Sequence, residues 1–257
     1  MKYIQCVQNR NQNVTIKETI YAIKNAGFDG AFVQWYHKNS DISQQEQVNL
    51  CRELGLEIPF IHLSYDHIND IWRECVNGNN LVLKYKEDLD SCKLNQVDLV
   101  IMHLSSEYEI SEPNMLGIKR FQEIVDYAEQ LNIRIAFENT RLWGFLEYLF
   151  DNIKNSNIGI CFDAGHCHCF FNDKFNWSYF RDKIWAIHLH DNFGSEDQHL
   201  LPFDGTLDWE MVQKDLKNSS YNGPVVLESL YNGEYLNMSL EEFYKLSLDR
   251  AKQININ

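Results

Sequence analysis

Positive charge is what this sequence is short of: 23 Lys and Arg stand against 37 Asp and Glu, a formal net charge of −14. A protein that lives by neutralising the phosphates of a long duplex needs the opposite balance, so nucleic acid is not an expected partner. Long apolar runs are missing too. No segment reaches the roughly 18 consecutive apolar residues of a membrane-spanning helix, and the opening MKYIQCVQNRNQ lacks the apolar stretch of a signal peptide. Proline occurs only four times, no low-complexity tract interrupts the chain, and no linker is legible. The seven cysteines, at 6, 51, 75, 92, 161, 167 and 169, make no CxxC pair and no paired framework, which reads as reduced thiols. These absences lead to the expectation of a cytoplasmic protein, free of membrane, with one domain over residues 1–257.

What is there is a regular alternation. Short β-rich apolar runs at 3–7, 30–35, 56–63, 97–104, 133–138, 158–163, 184–190 and 224–228 are each followed by a helical pattern. Those helices are expected at 15–25, stopped by Gly27, at 43–54, ended by Gly55, and at 79–94 and 113–131, the last with Pro113 in its first turn. Four more are expected at 143–152, near 177–181, at 208–217 and at 239–252. Eight strand–helix units in 257 residues predict an α/β fold, a (β/α)8 TIM barrel. A doubly wound open sheet is the alternative, but no GxGxxG follows the first strand.

In a barrel the active face lies at the C-terminal ends of the strands. On strands three to eight those ends carry His62, His103, Glu138, Asp163, His188 and Glu228, each the first ionisable group after an apolar run such as IRIAF or NIGICF. His166 follows Asp163 by three residues, and Asp197 and His199 lie in the loop of the stretch IWAIHLHDNFGSEDQHLLPFDGTLDW. Imidazole nitrogens and carboxylate oxygens are what borderline divalent metals accept, and a buried glutamate such as Glu138 or Glu228 needs a cation nearby. His190 shares a strand face with His188, so it either contacts substrate or backs a ligand; Asp191 reads as a loop cap. Trp35, Tyr65, Trp72 and Trp143 follow strands two, three and five and are candidate apolar walls for a ligand, with ordinary packing an equal alternative. His37, His67 and His168 have no placement that favours function, and the Cys167-His168-Cys169 tract reads as packing.

These residues resemble the xylose isomerase-like TIM barrels, a family that includes endonuclease IV and many sugar isomerases and epimerases. The common metal set of that family is matched by Glu138 in AFENT, Asp163 in CFDAGH, His188 in IHLHD and Glu228 in VVLES. The further ligands of endonuclease IV are matched by His62, His103, His166, Asp197 and His199, and its tyrosine by Tyr65 in HLSY. The resemblance implies a divalent-metal cofactor of one to three ions, zinc first and manganese or cobalt next. It implies that Glu138 bridges two ions, with His62 and His103 on one, Asp163, His188 and Glu228 on a second, and His166, Asp197 and His199 on a third.

The acidic chain lacks evident basic loops for penetrating DNA, and DQHLLPFDGTLDW is similar to the run in bacterial proteins usually called sugar phosphate isomerases or epimerases. The expected function is therefore isomerisation or epimerisation of a sugar or sugar phosphate by proton transfer through a metal-stabilised enediolate, with Glu138 and Glu228 exchanging the proton. His190, Tyr65 and Trp35 are the expected substrate contacts. The alternative is an endonuclease IV-like phosphodiesterase or phosphoesterase with a multinuclear zinc site, and a third class is a metal-stabilised binding protein without catalysis.

Overall fold

The computed structural model describes residues 1–8, 11, 13–35, 40–106, 112–142 and 144–256. Its strands are β1 (Tyr3–Val7), β2 (Gly30–Gln34), β3 (Ile61–His62), β4 (Leu99–Met102), β5 (Arg134–Glu138), β6 (Ile158–Asp163), β7 (Ile184–His188) and β8 (Val225–Leu227). Helices α1 (Ile16–Ala26), α2 (Gln44–Glu53), α3 (Val76–Leu94), α4 (Met115–Gln130) and α5 (Gly144–Asn152) follow the first five strands in turn. After β6 come α6 (Ala164–Phe171) and α7 (Trp177–Phe180), after β7 α8 (Trp209–Lys217), and after β8 α9 (Leu240–Ala251).

All strand pairs are parallel, in the order β7-β6-β5-β4-β3-β2-β1-β8. Leu189 closes the ring: its N–H donates to the Val226 carbonyl and its own carbonyl accepts from Glu228 N–H, both at 3.0 Å. The chain is thus a (β/α)8 TIM barrel, and one parallel sheet delivers every strand's last residue to the same end.

The helices begin where the chemistry of their first residues dictates. Thr15 with Glu18, Ser43 with Glu46 and Ser239 with Glu242 form reciprocal capping boxes, and Gly27 ends α1 in the left-handed region at φ 100°. Two departures from the sequence pattern have clear causes. The expected strand over 56–63 narrows to Ile61–His62 with a separate bridge at Glu57, because Pro59 between them has no N–H to give to a neighbouring strand. Asp163, read as the end of a strand, also caps α6, a helix absent from the sequence-based expectation: its Oδ1 accepts from His166 N–H at 2.7 Å.

Behind the rim, Arg120 on α4 is 6% exposed and donates to the carbonyls of Ile71, Arg73 and Cys75 at 2.9, 2.7 and 3.2 Å, fixing the loop that follows β3. Among the described residues no helix is long and apolar enough to cross a membrane.

Candidate metal centre

The six strand-end residues named from the sequence do converge, and all are buried. Glu138, at the end of β5, is the hub. Its Oε2 lies 3.1 Å from His62 Nε2, 3.2 Å from His103 Nε2 and 3.5 Å from His188 Nδ1, while its Oε1 lies 3.1 Å from His166 Nδ1. His188 Nδ1 in turn faces Asp163 Oδ2 at 3.8 Å and Glu228 Oε2 at 3.5 Å. A third cluster forms where Asp197 Oδ2 sits 3.3 Å from both His166 Nε2 and His199 Nε2.

Backbone acceptors set the histidine tautomers. A carbonyl can only accept, so His62 Nδ1–H donates to Leu63 O at 2.8 Å and His199 Nδ1–H to Glu228 O at 2.8 Å. In the neutral imidazoles this leaves Nε2 lone pairs aimed at the carboxylates of Glu138 and Asp197, an arrangement that repels unless a cation or a proton lies between them. The ligand atoms of His62, His103 and Glu138 lie within 4.8 Å of one another, as do those of Asp163, His166 and His190. Buried His103 Nδ1, His188 Nδ1 and Asp197 Oδ1 have no hydrogen-bond partner among the described residues. A nitrogen–oxygen donor set this dense, with orphaned atoms inside it, fits a borderline divalent ion such as zinc, manganese or cobalt.

The electrostatics of the protein alone point the same way. Burial works to raise Glu138, but His103 and His188 hold its carboxyl well below the usual range. Burial opposes charge on His188 and His166 as well, yet the carboxylates of Glu228 and Glu138 around the first, and of Asp163 and Asp197 around the second, push both well above the ordinary histidine value. His103 goes the other way, lowered by burial against the pull of Glu138. Asp163 and Asp197 are lowered in spite of burial by His166 with His190 and by His199 with His166. Cys161 adjoins Glu138 and His188, but burial pushes its thiol up to about 12, so it stays protonated.

The scaffold that holds the ligands includes residues the sequence reading passed over. The Asn139 amide pairs with the Asp163 backbone in both directions, at 2.7 and 2.8 Å, and its carbonyl accepts His166 Nδ1–H at 3.0 Å. Gln34, the polar end of the apolar run GAFVQ, donates to Glu228 Oε1 at 3.0 Å. That polar residue after an apolar strand was the available signal; Asn139, adjoining Glu138 in the same run, carried a similar one. Asp191 is a loop organiser, as its position suggested: Oδ1 accepts from Asn192 and Leu207 N–H, and Oδ2 from Phe203 N–H and Trp209 Nε1–H, at 2.8 to 3.1 Å. With the Asp191–Leu200 bridge, this folds Asp197 and His199 back over the barrel mouth.

The expected substrate contacts separate. The Tyr65 ring lies parallel to His103 at 4.3 Å, on the site's edge. Trp35 is 4% exposed and belongs to the apolar core. Trp72 is a packing residue rather than a ligand wall, wedged against Phe121, Phe145 and the bare face of Gly117 with its Nε1–H on Leu104 O. His190 has no exposed surface and backs Asp163, its Nε2 3.1 Å from Oδ1. Trp143 and His37 lie outside the described residues. His168 bonds Asp173 and Thr206 at 3.0 and 2.9 Å, consistent with the packing role read for its tract.

A barrel of parallel βα units with histidines and carboxylates gathered at its C-terminal mouth defines the class. The family follows from it: the chain belongs to the xylose isomerase-like TIM barrels, whose family model matches residues 20–253. An uncharacterized protein of Sinorhizobium fredii, y4fM, is 30% identical over 152 residues, 52% of this chain and 49% of that relative. The uncharacterized protein MJ1311 of Methanocaldococcus jannaschii is 29% identical over 202 residues, 69% of this chain and 64% of that relative. The chain thus covers about half to under two thirds of these relatives' lengths.

Among solved structures, D-psicose 3-epimerase with D-tagatose, from Clostridium cellulolyticum, is similar with a TM-score of 0.78 at 15% identity over 99% of both chains. The IOLI protein with a bound zinc atom is similar with a TM-score of 0.79 at 17% identity, covering 99% of this chain and 98% of that one. At such identities these likenesses speak to the fold.

Proposed function

We propose that this chain is a divalent-metal-dependent isomerase or epimerase of a sugar or sugar phosphate. The observation that carries the reading is the meeting of three carboxylates, from β5, β6 and the end of β8, around one imidazole nitrogen, His188 Nδ1, at 3.5 to 3.8 Å. Glu138, Asp163, His188 and Glu228 are the residues that would hold the ion. When bound, it supplies a Lewis acid that polarises neighbouring carbonyl and hydroxyl oxygens of a sugar and acidifies the carbon between them.

The protein's own groups then move the proton. Glu138, held ionised by His103 and His188, starts as a base. Glu228 approaches the same nitrogen from another strand, so one carboxylate takes the proton and the other returns it to the opposite face or the neighbouring carbon. Gln34 anchors Glu228 Oε1 and leaves Oε2 turned to His188. His62 and His103 orient Glu138, and the Tyr65 ring stacked on His103 offers an apolar edge to sugar C–H groups. The similarity of fold to D-psicose 3-epimerase and to a zinc-bearing barrel supports this reading.

The test is solvent exchange. Zinc- or manganese-loaded protein incubated with ketoses, aldoses and their phosphates in D2O is expected to place deuterium on the carbon beside the carbonyl, and Glu138→Gln to abolish it. No exchange with any of them in metal-replete protein contradicts the proposal.

A second reading, phosphoester hydrolysis, is favoured by one observation: His166, Asp197 and His199 form a cluster separate from His188, as a second or third ion would require. The net charge of −14 disfavours DNA as its substrate. Zinc-dependent cleavage of an abasic-site duplex or a small phosphodiester supports this reading, and its absence at saturating zinc removes it.

A further inference from the structure

We infer that His190 is a positioning residue that ties two halves of the metal centre together, holding Asp163 through its Nε2–H and His199 through the face of its ring. The inference rests on the metal-centre reading above, and it assigns a role to a buried histidine that the proposed ion-holding set of Glu138, Asp163, His188 and Glu228 leaves out.

The hydrogen-bond geometry fixes the first half. His190 Nε2 lies 3.1 Å from Oδ1 and 3.3 Å from Oδ2 of Asp163, and the ring has no exposed surface. An ionised carboxylate offers only lone pairs, so Nε2 carries the hydrogen and has no lone pair left for an ion. Asp163 Oδ1 also accepts His166 N–H at 2.7 Å. With Oδ1 held from two sides, Oδ2 is turned toward His188 Nδ1 and His166 Nδ1, at 3.8 and 3.5 Å. Outer donors of this kind orient a ligating carboxylate and tune its affinity.

Stacking fixes the second half. The His190 and His199 rings lie 4.1 Å apart and 19° from parallel, closer than the 4.9 Å between His62 and His103 or the 5.8 Å between His166 and His190. The backbone of α6 also comes so near that a Cβ on Gly165 would fall 2.0 Å from the His190 ring. The imidazole is therefore in close contact with both Gly165 and His199, and those contacts restrict its tilt. His199 Nδ1–H is already tied to Glu228 O, so the stack supplies the remaining constraint on where its Nε2 points.

Two substitutions separate the two contacts. His190→Phe keeps a flat ring for His199 but removes the donor to Asp163; His190→Gln keeps a donor within reach of Asp163 but removes the ring. Zn2+ affinities are measured by chelator competition on the full chain, with His188→Gln marking the Asp163 position and Asp197→Asn marking the His199 position, and far-UV circular dichroism verifies folding.

His190→Phe is expected to weaken the position marked by His188→Gln by about 10- to 100-fold and to spare the other. His190→Gln is expected to restore most of that loss and to weaken the position marked by Asp197→Asn instead. Wild-type affinities in both variants overturn the proposal, as does loss of the same ion in both, which would make His190 a ligand. Wild-type protein that takes up no Zn2+ defeats the metal-centre reading itself, an outcome distinct from either.

Discussion

The His188 imidazole lies almost flat on the phenyl ring of Phe32, with centroids 5.0 Å apart and planes 9° from parallel. Phe32 is a fully buried residue of β2, so the apolar floor of the barrel sets the plane of the His188 ring and thereby the direction of Nδ1. Phe32→Ala is expected to cost about 3–5 kcal/mol in denaturant unfolding. It is also expected to weaken ion binding about tenfold, read by chelator competition. Phe32→Leu separates the two effects: the stability loss falls to about 1 kcal/mol while most of the affinity loss stays.

Asp191 accepts four hydrogen bonds from the loop that carries Asp197 and His199. Asp191→Ala leaves those buried donors unmatched, and about 2–4 kcal/mol of stability is expected to go with them. Because His188, Glu138 and Asp163 stand on strands, an ion held by them as proposed is expected to remain, while one held by Asp197 and His199 is expected to be lost. Elemental analysis of the variant, compared with wild type, reads the difference directly.

Asn139→Ala removes the two bonds to the Asp163 backbone and spares its own carbonyl to His166. A loss of about 1–3 kcal/mol is expected, as is a lower affinity for the ion bound by Asp163. Asn139→Asp is expected to be worse than alanine for folding at neutral pH, since it adds an anion beside Asp163 and Glu138 and faces the Asp163 carbonyl with an acceptor. Thermal unfolding of the two variants side by side checks the order.

The pH dependence follows from the sign of the shifts. His166, His188 and His190 are raised above the histidine value of 6.5, so in chelator-treated protein their ion pairs stabilise fully below that value and are lost as pH rises through the raised ones. Glu138, Asp163 and Asp197 are lowered, so their contribution is present above the ordinary 4.5 and 3.8 and is lost as pH falls through the depressed values. The metal competes with the histidine protons. The gain in melting temperature on adding Zn2+ is therefore expected to grow as pH is raised from about 6 to about 8. A gain that is flat or falls over that range contradicts the assignment of these imidazoles.

Most of the candidate site is legible in the sequence, because barrel strands are short apolar runs and the first polar residue after each is a position rather than a coincidence. His62, His103, Glu138, Asp163, His188 and Glu228 are all found by that rule, and the structure gathers them. What stayed hidden is what local pattern does not carry. The helix α6 was missed because AGHCHCFF has neither the length nor the amphipathic period that announces a helix, and Asp163 looked like a strand end while also being its cap. Strand β3 was overdrawn because hydrophobicity does not register that Pro59 lacks a donor. Loop position leaves Trp35 and Trp72 equally open to a ligand wall and to ordinary packing, and their burial is a matter of tertiary packing that no single segment encodes. Asn139, Gln34 and the stack of His190 on His199 are contacts across strands, visible only once the strands are side by side.

The proposed function requires a divalent ion held where Glu138, Asp163, His188 and Glu228 meet. Elemental analysis of protein purified without chelator, with Glu138→Gln prepared in parallel, tests it most directly. At least one zinc, manganese or cobalt ion per wild-type chain, and its loss from Glu138→Gln while far-UV circular dichroism is unchanged, is the predicted result. A wild-type chain that stays metal-free after dialysis against each of these ions contradicts it.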